Sequence, residues 1–543
     1  MRSTMMEFPL TITRILEHGS TVHGSSEVVT WTGTGARRMT YAEVGAQAAQ
    51  LAHALHDDLG VRGDQRIGTF MWNNAEHLVA YLGVPAMGAV LHTLNIRLFP
   101  DQLTYITNHA ADRVVIVDST LIPLLARVIN DLRTVEHVIV VGGGDPTPLS
   151  TADNITVHAW DDLLAGKPTT YDWPDIDERD AAALCYTSGT TGNPKGVAYS
   201  HRSIWLHSMQ VCQAESFGLS PQVRDVVVVP MFHAMAWGLP YAALMSGANL
   251  IMPDRFLQPA PLAEMIVAER ATFAGAVPAI WTGLLEHLEA HPEIDISTLR
   301  EVVVGGSACP PSLMHAFAQR GVEIIHAWGM TEMSPLGSVS RPPAGVSEEE
   351  AWAYRYTQGR LPAGVAGRIV GPDGTIQPND GESVGELEVR GPWVTARYVG
   401  EDDPEKFHDG WLRTGDVGTL SPNGYLTLTD RAKDVIKSGG EWISSVDLEN
   451  HLMAHPAVLE AAVVGVPDEK WTERPLATVV VKEGQTVTAD ELREFLAARI
   501  ARWQLPERWA FIAEVPKTSV GKFDKKVIRA RYAEGDLSVQ EIG

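Results

Sequence analysis

Short apolar runs rich in β-branched residues recur along most of this chain, and stretches with helical periodicity separate them. The runs include RIGTFMW from Arg66, RVVIVD from Arg113, DVVVVP from Asp225 and REVVVGGSA from Arg300. Strands that are apolar on both faces and alternate with helices are typical of parallel sheets covered by helices on both sides. The pattern therefore predicts an α/β fold built on two βα-layered, largely parallel sheets.

The whole chain has 543 residues and is too long for one core. In its last third, the pattern of predicted helices and strands changes. Short strands and turns fill residues 359–430, and a separate α+β segment follows the charged stretch DRAKD, with a capping box at Thr488 and Glu491. We predict a large N-terminal domain at residues 1–430, including a small β-barrel-like subdomain at about 359–430. A hinge at residues 431–434 and a small, mobile α+β C-terminal domain at residues 435–543 complete the prediction.

Composition narrows the classes of partner. The formal net charge is −24, which argues against a nucleic-acid partner, because phosphate backbones require a basic face. Three scattered cysteines without a C-x-x-C pair indicate a reducing compartment. The opening MRSTMMEFPL lacks the apolar core of a signal peptide, so we expect a cytoplasmic protein.

One uncharged run, Ala234 to Met252, is nearly long enough to span a bilayer. Glycine, proline and asparagine interrupt it, and His233 and Asp254 bracket it closely. We predict a buried helix and a short strand beside a ligand pocket, with at most peripheral membrane contact.

The stretch TSGTTGNPKGV, from Thr187, has the Gly, Ser and Thr content of a loop that wraps phosphates. It does not match the P-loop signature, which needs Ser or Thr after the lysine, because Gly196 follows Lys195. Taken alone, it is either a flexible surface loop or a phosphate site of another kind.

Five further motifs follow this loop in order: GGSACP from Gly305, HAWGMTE from His326, WLRTGD from Trp411, DRAKDVIKSGGEWIS from Asp430 and PKTSVGKFDKK from Pro516. The ordered set resembles the acyl-adenylate-forming superfamily of acyl-CoA synthetases, adenylation domains and luciferases. The resemblance extends from near residue 40 to near residue 530. It implies that ATP activates a carboxylic acid as acyl-AMP, that pyrophosphate leaves, and that the acyl group passes to the thiol of coenzyme A.

The resemblance also implies the nucleotide site. Thr187 and Glu332 would hold Mg²⁺, a hard cation that prefers oxygen ligands. Trp328, where the family usually has tyrosine, would stack on adenine, and Asp416 and Arg431 would bind the ribose. The other implied nucleotide contacts are Ser188, Gly189, Thr190, Thr191, Gly192, Lys195, Gly306, Ser307, Ala308, Ala327, Gly329, Met330 and Thr331.

Lys522 is the implied catalytic cation. Attack of a carboxylate on the α-phosphorus brings two anions together, and a bridging ammonium lowers that cost. The lysine lies on the second lobe, so closure must deliver it. The family hinge corresponds to Lys433, and rotation would bring in Gly439, Gly440, Glu441 and Trp442 to form the pantetheine channel.

The segment PMFHAMAWGLPY, from Pro230, looks like the part of fatty-acyl-CoA synthetases where a tryptophan gates the acyl tunnel. Trp237 and His233 take those places, and the resemblance puts Val277, Pro278 and Gly305 beside the substrate carboxylate; His233 is also a candidate catalytic residue. No Arg, Lys or Asp in these stretches would hold an amino acid's ammonium group.

The leading hypothesis is a medium- to long-chain fatty acid–CoA ligase. The resemblance also allows a homodimer. One alternative is a 3-methylthiopropionate–CoA ligase, because such enzymes share the short motifs WNN, LHTLN and MFHxxAW, which begin here at Trp72, Leu91 and Met231. A fatty acyl-AMP ligase, a membrane-embedded lipid carrier and a catalytically inactive binding protein are the remaining alternatives. The presence of Lys522, Glu332 and Asp416 argues against the last of these.

Overall fold

A computed structural model describes residues 1–150, 152, 154–187, 193–371, 373–438, 441–517 and 523–542. The chain divides into two compact units. The first comprises Met1–Cys309, Leu313–Ala366 and Arg390–Leu412, and the second Pro310–Ser312, Gly367–Val389 and Arg413–Gly543. The fold is mixed α/β, with a large N-terminal domain and a smaller C-terminal one. The predicted hinge at 431–434 falls inside the second unit, so the predicted domain boundary stays a prediction.

The strands are β1 (Glu27–Trp31), β2 (Ala36–Thr40), β3 (Arg66–Phe70), β4 (Val90–Thr93), β5 (Asp112–Asp118), β6 (His137–Val141), β7 (Thr156–Ala159), β8 (Ala181–Tyr186), β9 (Gly196–Ser200), β10 (Arg224–Val226), β11 (Asn249–Met252), β12 (Phe273–Ala276), β13 (Glu301–Val304), β14 (Glu323–Gly329), β15 (Leu336–Val339), β16 (Gly359–Arg360), β17 (Ala366–Val370), β18 (Gly385–Arg390), β19 (Phe407–His408), β20 (Trp411–Leu420), β21 (Tyr425–Arg431), β22 (Ile436–Ser438), β23 (Glu441–Ile443), β24 (Val458–Asp468), β25 (Thr472–Val481), β26 (Arg508–Phe511) and β27 (Val539–Glu541).

The α-helices are α1 (Ile12–Val22), α2 (Tyr41–His53), α3 (Ala75–Ala86), α4 (Pro100–Ala110), α5 (Ile122–Leu125), α6 (Trp160–Leu164), α7 (His201–Cys212), α8 (Leu239–Ser246), α9 (Pro259–Ala268), α10 (Pro278–Ala290), α11 (Pro311–Ala318), α12 (Glu348–Arg355), α13 (Ser445–Met453), α14 (Ala489–Ala497) and α15 (Lys525–Glu534).

The first unit contains a seven-stranded sheet with the strand order β7-β6-β5-β3-β4-β8-β9. Every neighbouring pair is parallel except β8 and β9, which form an antiparallel hairpin. The predicted phosphate loop connects these two strands. Thr187, the first residue of that loop, therefore lies at the carboxyl end of β8, the edge at which α/β sheets usually bind ligands.

A second sheet in the first unit runs in the order β2-β1-β11-β10-β12-β13-β14-β15-β16. Its central strands, from β1 to β14, are parallel, and β2, β15 and β16 are antiparallel to their neighbours. Their apolar side chains are buried, as in Val302, Val303 and Val304 of β13. The prediction of two largely parallel sheets is confirmed.

The second unit contains strands β17, β18, β20 and β21, of which β20 and β21 pair antiparallel. It also contains a sheet in the order β23-β22-β25-β26-β27, with β24 paired to β25. Helix α14 begins with the predicted capping box, in which the Thr488 side chain accepts from the Glu491 amide and the Glu491 side chain accepts from the Thr488 amide. Helices α13, α14 and α15 complete the α+β arrangement predicted for this part of the chain.

The run from Ala234 to Met252 forms a short left-handed turn, helix α8 and strand β11, which together match the predicted buried helix and strand. Helix α8 begins after Gly238, has Pro240 in its first turn, and ends at Gly247 with a positive φ. Among the helices in the described residues, none has both the length and the apolar character needed to cross a membrane.

Candidate active site

The carboxyl ends of β12, β13 and β14 bring several predicted site residues to one edge of the second sheet. Strand β12 leads into Val277 and Pro278, β13 leads into Gly305, and β14 carries Trp328 and leads towards Glu332. The three strands are parallel neighbours, so these segments are adjacent. This edge is the usual ligand-binding edge of an open α/β sheet.

Trp237 lies on an unusual turn beside this edge. Four consecutive non-glycine residues, from Ala234 to Trp237, have φ between 43° and 56°. A left-handed conformation costs about 1–2 kcal/mol per residue, or about 4–8 kcal/mol for the four. The turn presses the indole of Trp237 onto two glycines, since a Cβ built on Gly275 or Gly305 would lie 3.3 or 3.2 Å from the ring. Any larger side chain at either glycine would displace the ring.

A buried histidine supports the same turn from below. A Cβ built on Gly238 would lie 2.5 Å from Nδ1 of His207, so only glycine fits there. Nε2 of His207 accepts a hydrogen bond from the Leu336 amide at 3.1 Å. Burial lowers the pKa of His207 to about 3, so the ring is neutral. One side chain thus connects the Trp237 turn to the strand that follows Glu332.

The predicted adenine wall is also densely packed. Trp328 is buried, and its ring lies over Gly337 of β15, where an added Cβ would come within 2.3 Å. Gly306 has a φ of +83°, and an added Cβ there would meet the Val277 side chain at 3.3 Å. The Gly305–Ala308 turn therefore lies next to Val277, in the region that the resemblance assigns to the acid and the adenine.

Glu332, the predicted metal ligand, is held in place by its neighbours. Its carboxylate oxygen Oε1 accepts a hydrogen bond from the Tyr398 hydroxyl at 2.6 Å, and its main-chain carbonyl accepts one from the Thr395 amide at 2.8 Å. Both Glu332 and Tyr398 are buried. Burial, followed by the negative charge of Glu332, raises the pKa of Tyr398, so the phenol remains protonated and donates.

The base of the phosphate-loop hairpin is defined as well. The Lys195 amide donates to the Thr187 hydroxyl at 3.1 Å, and the Thr187 amide donates to the Lys195 carbonyl at 2.9 Å. The Lys195 ammonium binds Asp403 at 2.9 Å and Glu401 at 3.4 Å. It also lies 4.8 Å from the centroid of the Tyr398 ring, a cation–π distance. The hydrogen bond to Asp403 raises the pKa of Lys195, so the ammonium stays protonated.

These oxygens suit a magnesium ion. Mg²⁺ typically keeps several waters and binds through one or two carboxylates together with substrate phosphates. Glu332 supplies one buried carboxylate, whose Oε1 is already oriented by Tyr398, and Thr187 supplies a hydroxyl oxygen that has a second lone pair besides the one accepting from the Lys195 amide. In the described part of the chain, no group of three or more His, Cys, Asp or Glu residues could hold a metal alone. The residues present therefore fit a magnesium ion that arrives with a nucleotide.

A cavity of about 940 Å³ lies in the first unit. It is lined by Tyr199, Ser334 and the segment from Pro392 to Asp402. The Tyr199 hydroxyl donates to the Thr331 carbonyl at 2.5 Å, and the Ser334 hydroxyl donates to the Trp393 carbonyl at 3.1 Å. The cavity thus borders the residues that fix Glu332.

In the second unit, Asp416 and Arg431 face each other on β20 and β21. The Arg431 Nε lies 2.7 Å from Asp416 Oδ1, and the Asp416 side chain is almost fully buried. A buried carboxylate aligned by a guanidinium is a suitable acceptor for two hydroxyl groups. The predicted pair is therefore formed, whereas its role in binding ribose stays a prediction.

The predicted hinge segment is anchored within the second unit. Asp430 accepts hydrogen bonds from the amide and the hydroxyl of Ser445. The buried Lys525 ammonium binds Glu449 at 2.7 Å and the Ser445 hydroxyl at 2.5 Å. Arg529 pairs with Asp434 at 2.8 Å and donates to the Lys433 carbonyl. Helices α13 and α15 therefore both bind the segment that contains Lys433.

Several predicted residues lie outside the described residues: Ser188, Gly189, Thr190, Thr191, Gly192, Gly439, Gly440 and Lys522. The backbone of Glu441 and Trp442 forms β23, which pairs antiparallel with β22 on the other side of the two glycines. His233 lies at the start of the left-handed turn, and its amide donates to the Pro230 carbonyl. Pro278 occupies the first turn of α10, and Ala327 is buried in β14.

Sequence reasoning did not find Tyr398, Asp403 or His207. Tyr398 lies 66 positions from Glu332, in the stretch RGPWVTARYVG, whose residue order has no feature that marks it as part of a site. His207 lies in the middle of α7, where a buried histidine is indistinguishable from an ordinary core residue. Their roles come from contacts between distant segments, which local patterns do not record.

Comparison with known proteins agrees with this geometry. Residues 16–399 match the AMP-binding enzyme family, and residues 447–522 match the AMP-binding enzyme C-terminal domain. The chain therefore belongs to the AMP-binding enzyme family. Within that family it is an acyl-CoA ligase, an enzyme that uses ATP and CoA as substrates.

Three similar proteins illustrate its neighbours. The chain is 44% identical to the 3-methylmercaptopropionyl-CoA ligase of Ruegeria pomeroyi, with 98% of this chain and 99% of the other covered. It is 43% identical to the long-chain-fatty-acid–CoA ligase of Thermus thermophilus, with 98% and 97% covered. The crystal structure of the anthranilate CoA ligase AuaEII in complex with anthranoyl-AMP is 26% identical and covers 98% of this chain and 99% of its own, with a TM-score of 0.86.

Proposed function

We propose that this acyl-CoA ligase activates an acid of short to medium length whose chain, apart from the carboxylate, is unbranched and uncharged. The observation that carries the proposal is the position of Trp237, whose indole lies over Gly275 and Gly305 at the ends of β12 and β13. A large aromatic ring at that place forms an apolar wall and occupies volume that a long alkyl chain would need. Such a wall favours acids whose chain carries no charge, because an unpaired buried charge is costly.

The proposed chemistry has two steps. In the first, a carboxylate oxygen of the acid forms a bond to the α-phosphorus of ATP as the bond to pyrophosphate breaks. In the second, the thiol sulfur of CoA forms a bond to the acyl carbon, the bond to AMP breaks, and the thiol proton leaves. The acyl-AMP is therefore a shared intermediate of both steps.

The described residues support specific roles in the first step. Glu332 and Thr187 would hold Mg²⁺, which neutralises phosphate charge when it is bound. Trp328 would cover one face of adenine, and Asp416 would accept hydrogen bonds from the ribose hydroxyls. Lys522 would bridge the acid and the α-phosphate, where an ammonium offsets the repulsion between two anions.

Two acids of nearly equal shape test the proposal sharply. Pentanoate and 3-methylthiopropionate differ only in that a CH₂ group of the first is replaced by sulfur in the second. A hydrophobic pocket distinguishes such isosteres weakly, while sulfur–aromatic contact with Trp237 adds about 0.3–1.5 kcal/mol. We expect 3-methylthiopropionate to be preferred by up to about tenfold in kcat/KM.

The assay is acid-dependent release of pyrophosphate and formation of thioester over unbranched acids from acetate to stearate, with 3-methylthiopropionate included. A maximum at short to medium length supports the proposal. A maximum at palmitate or stearate, with pentanoate inactive, overturns it. Accumulation of acyl-AMP without thioester when CoA is present would instead identify a fatty acyl-AMP ligase.

One observation favours a second candidate, a ligase for longer fatty acids. The turn from Ala234 to Trp237 is held in a high-energy backbone conformation, and release of that strain would offset part of the cost of moving the indole. The fatty-acid ligase of Thermus thermophilus, at 43% identity, is almost as similar to this chain as the thioether-acid enzyme. The length profile of the acid panel distinguishes the two candidates.

A further inference from the structure

A groove of about 380 Å³ lies at the amino edge of the seven-stranded sheet. It is formed where β3, β5 and β6 begin, and its lining residues are Gln65, Arg66, Ala111, Arg113, Arg133, Thr134, Val135, Glu136 and Asn154. The phosphate-loop hairpin follows β8 at the opposite, carboxyl edge of the same sheet. Since β5 has seven residues at about 3.3 Å each, the two edges are separated by about 20 Å.

Hydrogen bonds to main-chain carbonyls and to the Glu136 and Gln65 side chains orient two of the three arginines in this groove. Arg66 donates from Nε to the Ala110 carbonyl at 2.6 Å and from Nη1 to the Asp64 carbonyl at 2.9 Å. Arg113 donates from Nη1 to the Gly60 carbonyl at 2.9 Å and from Nε to Glu136 at 3.0 Å. Within the described residues, Nη2 of both arginines makes no hydrogen bond.

Arg133 differs from the other two because its side chain is exposed and forms no hydrogen bond or ion pair with the described residues. The buried Asp112 makes no hydrogen bond to these arginines, since both of its oxygens bind Nδ1 of His92 at 2.8–2.9 Å, although its charge acts on Arg66. Among the described residues that line the groove, Glu136 is the one carboxylate. Three guanidinium groups against one carboxylate leave an excess of two positive charges.

This excess is notable on a chain with a formal net charge of −24, where acidic partners are abundant. Guanidinium forks match phosphate oxygens in shape and form charge-assisted hydrogen bonds with them. The Thr134, Gln65 and Asn154 side chains add polar groups around the arginines. The volume falls in the range of small-molecule sites.

We propose that this groove binds the phosphate group of a small phosphorylated molecule, at a site separate from the one that uses ATP. Arg66 and Arg113 supply oriented donors, and Arg133 folds over the bound phosphate. The dianionic charge of a phosphate monoester balances the excess of two positive charges.

The test uses the full chain and inorganic phosphate as the probe, with binding measured by calorimetry at constant ionic strength. Arg133→Gln removes a guanidinium that holds no described part of the fold, so the variant should remain folded. We expect it to raise the Kd for phosphate about tenfold or more, as the loss of a charge-assisted hydrogen bond implies. Arg133→Glu should raise the Kd further.

Arg127→Gln is the matched control, because Arg127 is exposed, lies outside the groove and carries the same charge. We expect it to change the Kd less than twofold, and both variants to keep the KM for ATP of the unaltered enzyme. An unchanged Kd in Arg133→Gln would place phosphate at the ATP site and overturn the proposal. Equal losses in the two glutamine variants, or no phosphate binding at millimolar concentration, would overturn it as well.

Discussion

Replacement of Tyr398 by phenylalanine isolates the contact that orients Glu332. The substitution removes one hydroxyl that donates to Glu332 Oε1 at 2.6 Å and leaves the aromatic ring, over which Lys195 lies, in place. Both partners of the lost bond are buried. The carboxylate then has one hydrogen bond fewer to hold its orientation.

The size of the effect follows from the kind of bond. A hydrogen bond to a charged group contributes about 1.5–3 kcal/mol, and each 1.36 kcal/mol corresponds to a factor of ten. We therefore expect the Mg²⁺ concentration for half-maximal pyrophosphate release to rise by about 10- to 100-fold. The thermal unfolding midpoint should change by only a few degrees, because one lost bond is a small part of the stability of so large a unit.

The assay is a Mg²⁺ titration of acid-dependent pyrophosphate release at saturating ATP and acid. Tyr199→Phe is the matched control, since that buried hydroxyl donates to the neutral Thr331 carbonyl one residue away. A neutral bond contributes about 0.5–1.5 kcal/mol, so the control should shift the titration about tenfold at most. Identical titrations for Tyr398→Phe and the unaltered enzyme would refute the role of Tyr398 in orienting Glu332.

Four further outcomes are expected. Trp237→Ala should raise kcat/KM for dodecanoate relative to pentanoate by about tenfold or more, since several methylenes gain room; an unchanged profile would exclude the indole from the acid pocket. Asp416→Asn should raise the KM for ATP about tenfold but cost little with 2′-deoxy-ATP, which lacks one ribose hydroxyl; equal losses with both nucleotides would contradict ribose binding. Lys522→Ala should slow adenylation about 100-fold or more and spare thioester formation from a supplied acyl-adenylate, and equal loss in both would place the lysine elsewhere. Stability should fall as the pH drops from 6.5 towards 4, because burial lowers the pKa of four histidines and the unfolded chain then binds more protons. The four are His207, with a pKa of about 3, and His77, His201 and His326, each with a pKa of about 4. The free energy of unfolding, measured with denaturant, should change by up to about 5 kcal/mol per pH unit in this range, and a flat profile would contradict the prediction.

Sequence reasoning predicted the parts of the fold that depend on local pattern. Runs such as RVVIVD became buried parallel strands, because burial of both sheet faces requires continuous apolar residues. The cap at Thr488 and Glu491 was also predictable from a local pattern, because both partners lie within one helical turn.

The geometry around the candidate site was not predictable in this way. The bond between Tyr398 and Glu332 joins residues that lie 66 positions apart in the chain. The left-handed turn at Trp237 contains no glycine among its four positive-φ residues before Gly238, so composition predicts an ordinary helix there. The packing of the turn on His207 and on Gly275 overrides that local preference.

The left-handed turn has a consequence for how enzymes of this kind diverge. The proposed nucleotide side of the site rests on Glu332, whose carboxylate and carbonyl are both fixed by other segments, so substitutions there should be costly. The proposed acid side depends instead on one strained turn and on the two glycines beneath the Trp237 ring. On the proposed assignment, a single change in side-chain size at those positions would reset the volume offered to the acid, while the contacts that hold Glu332 remain. Substrate choice can therefore drift in small steps, while the chemistry of activation stays constant.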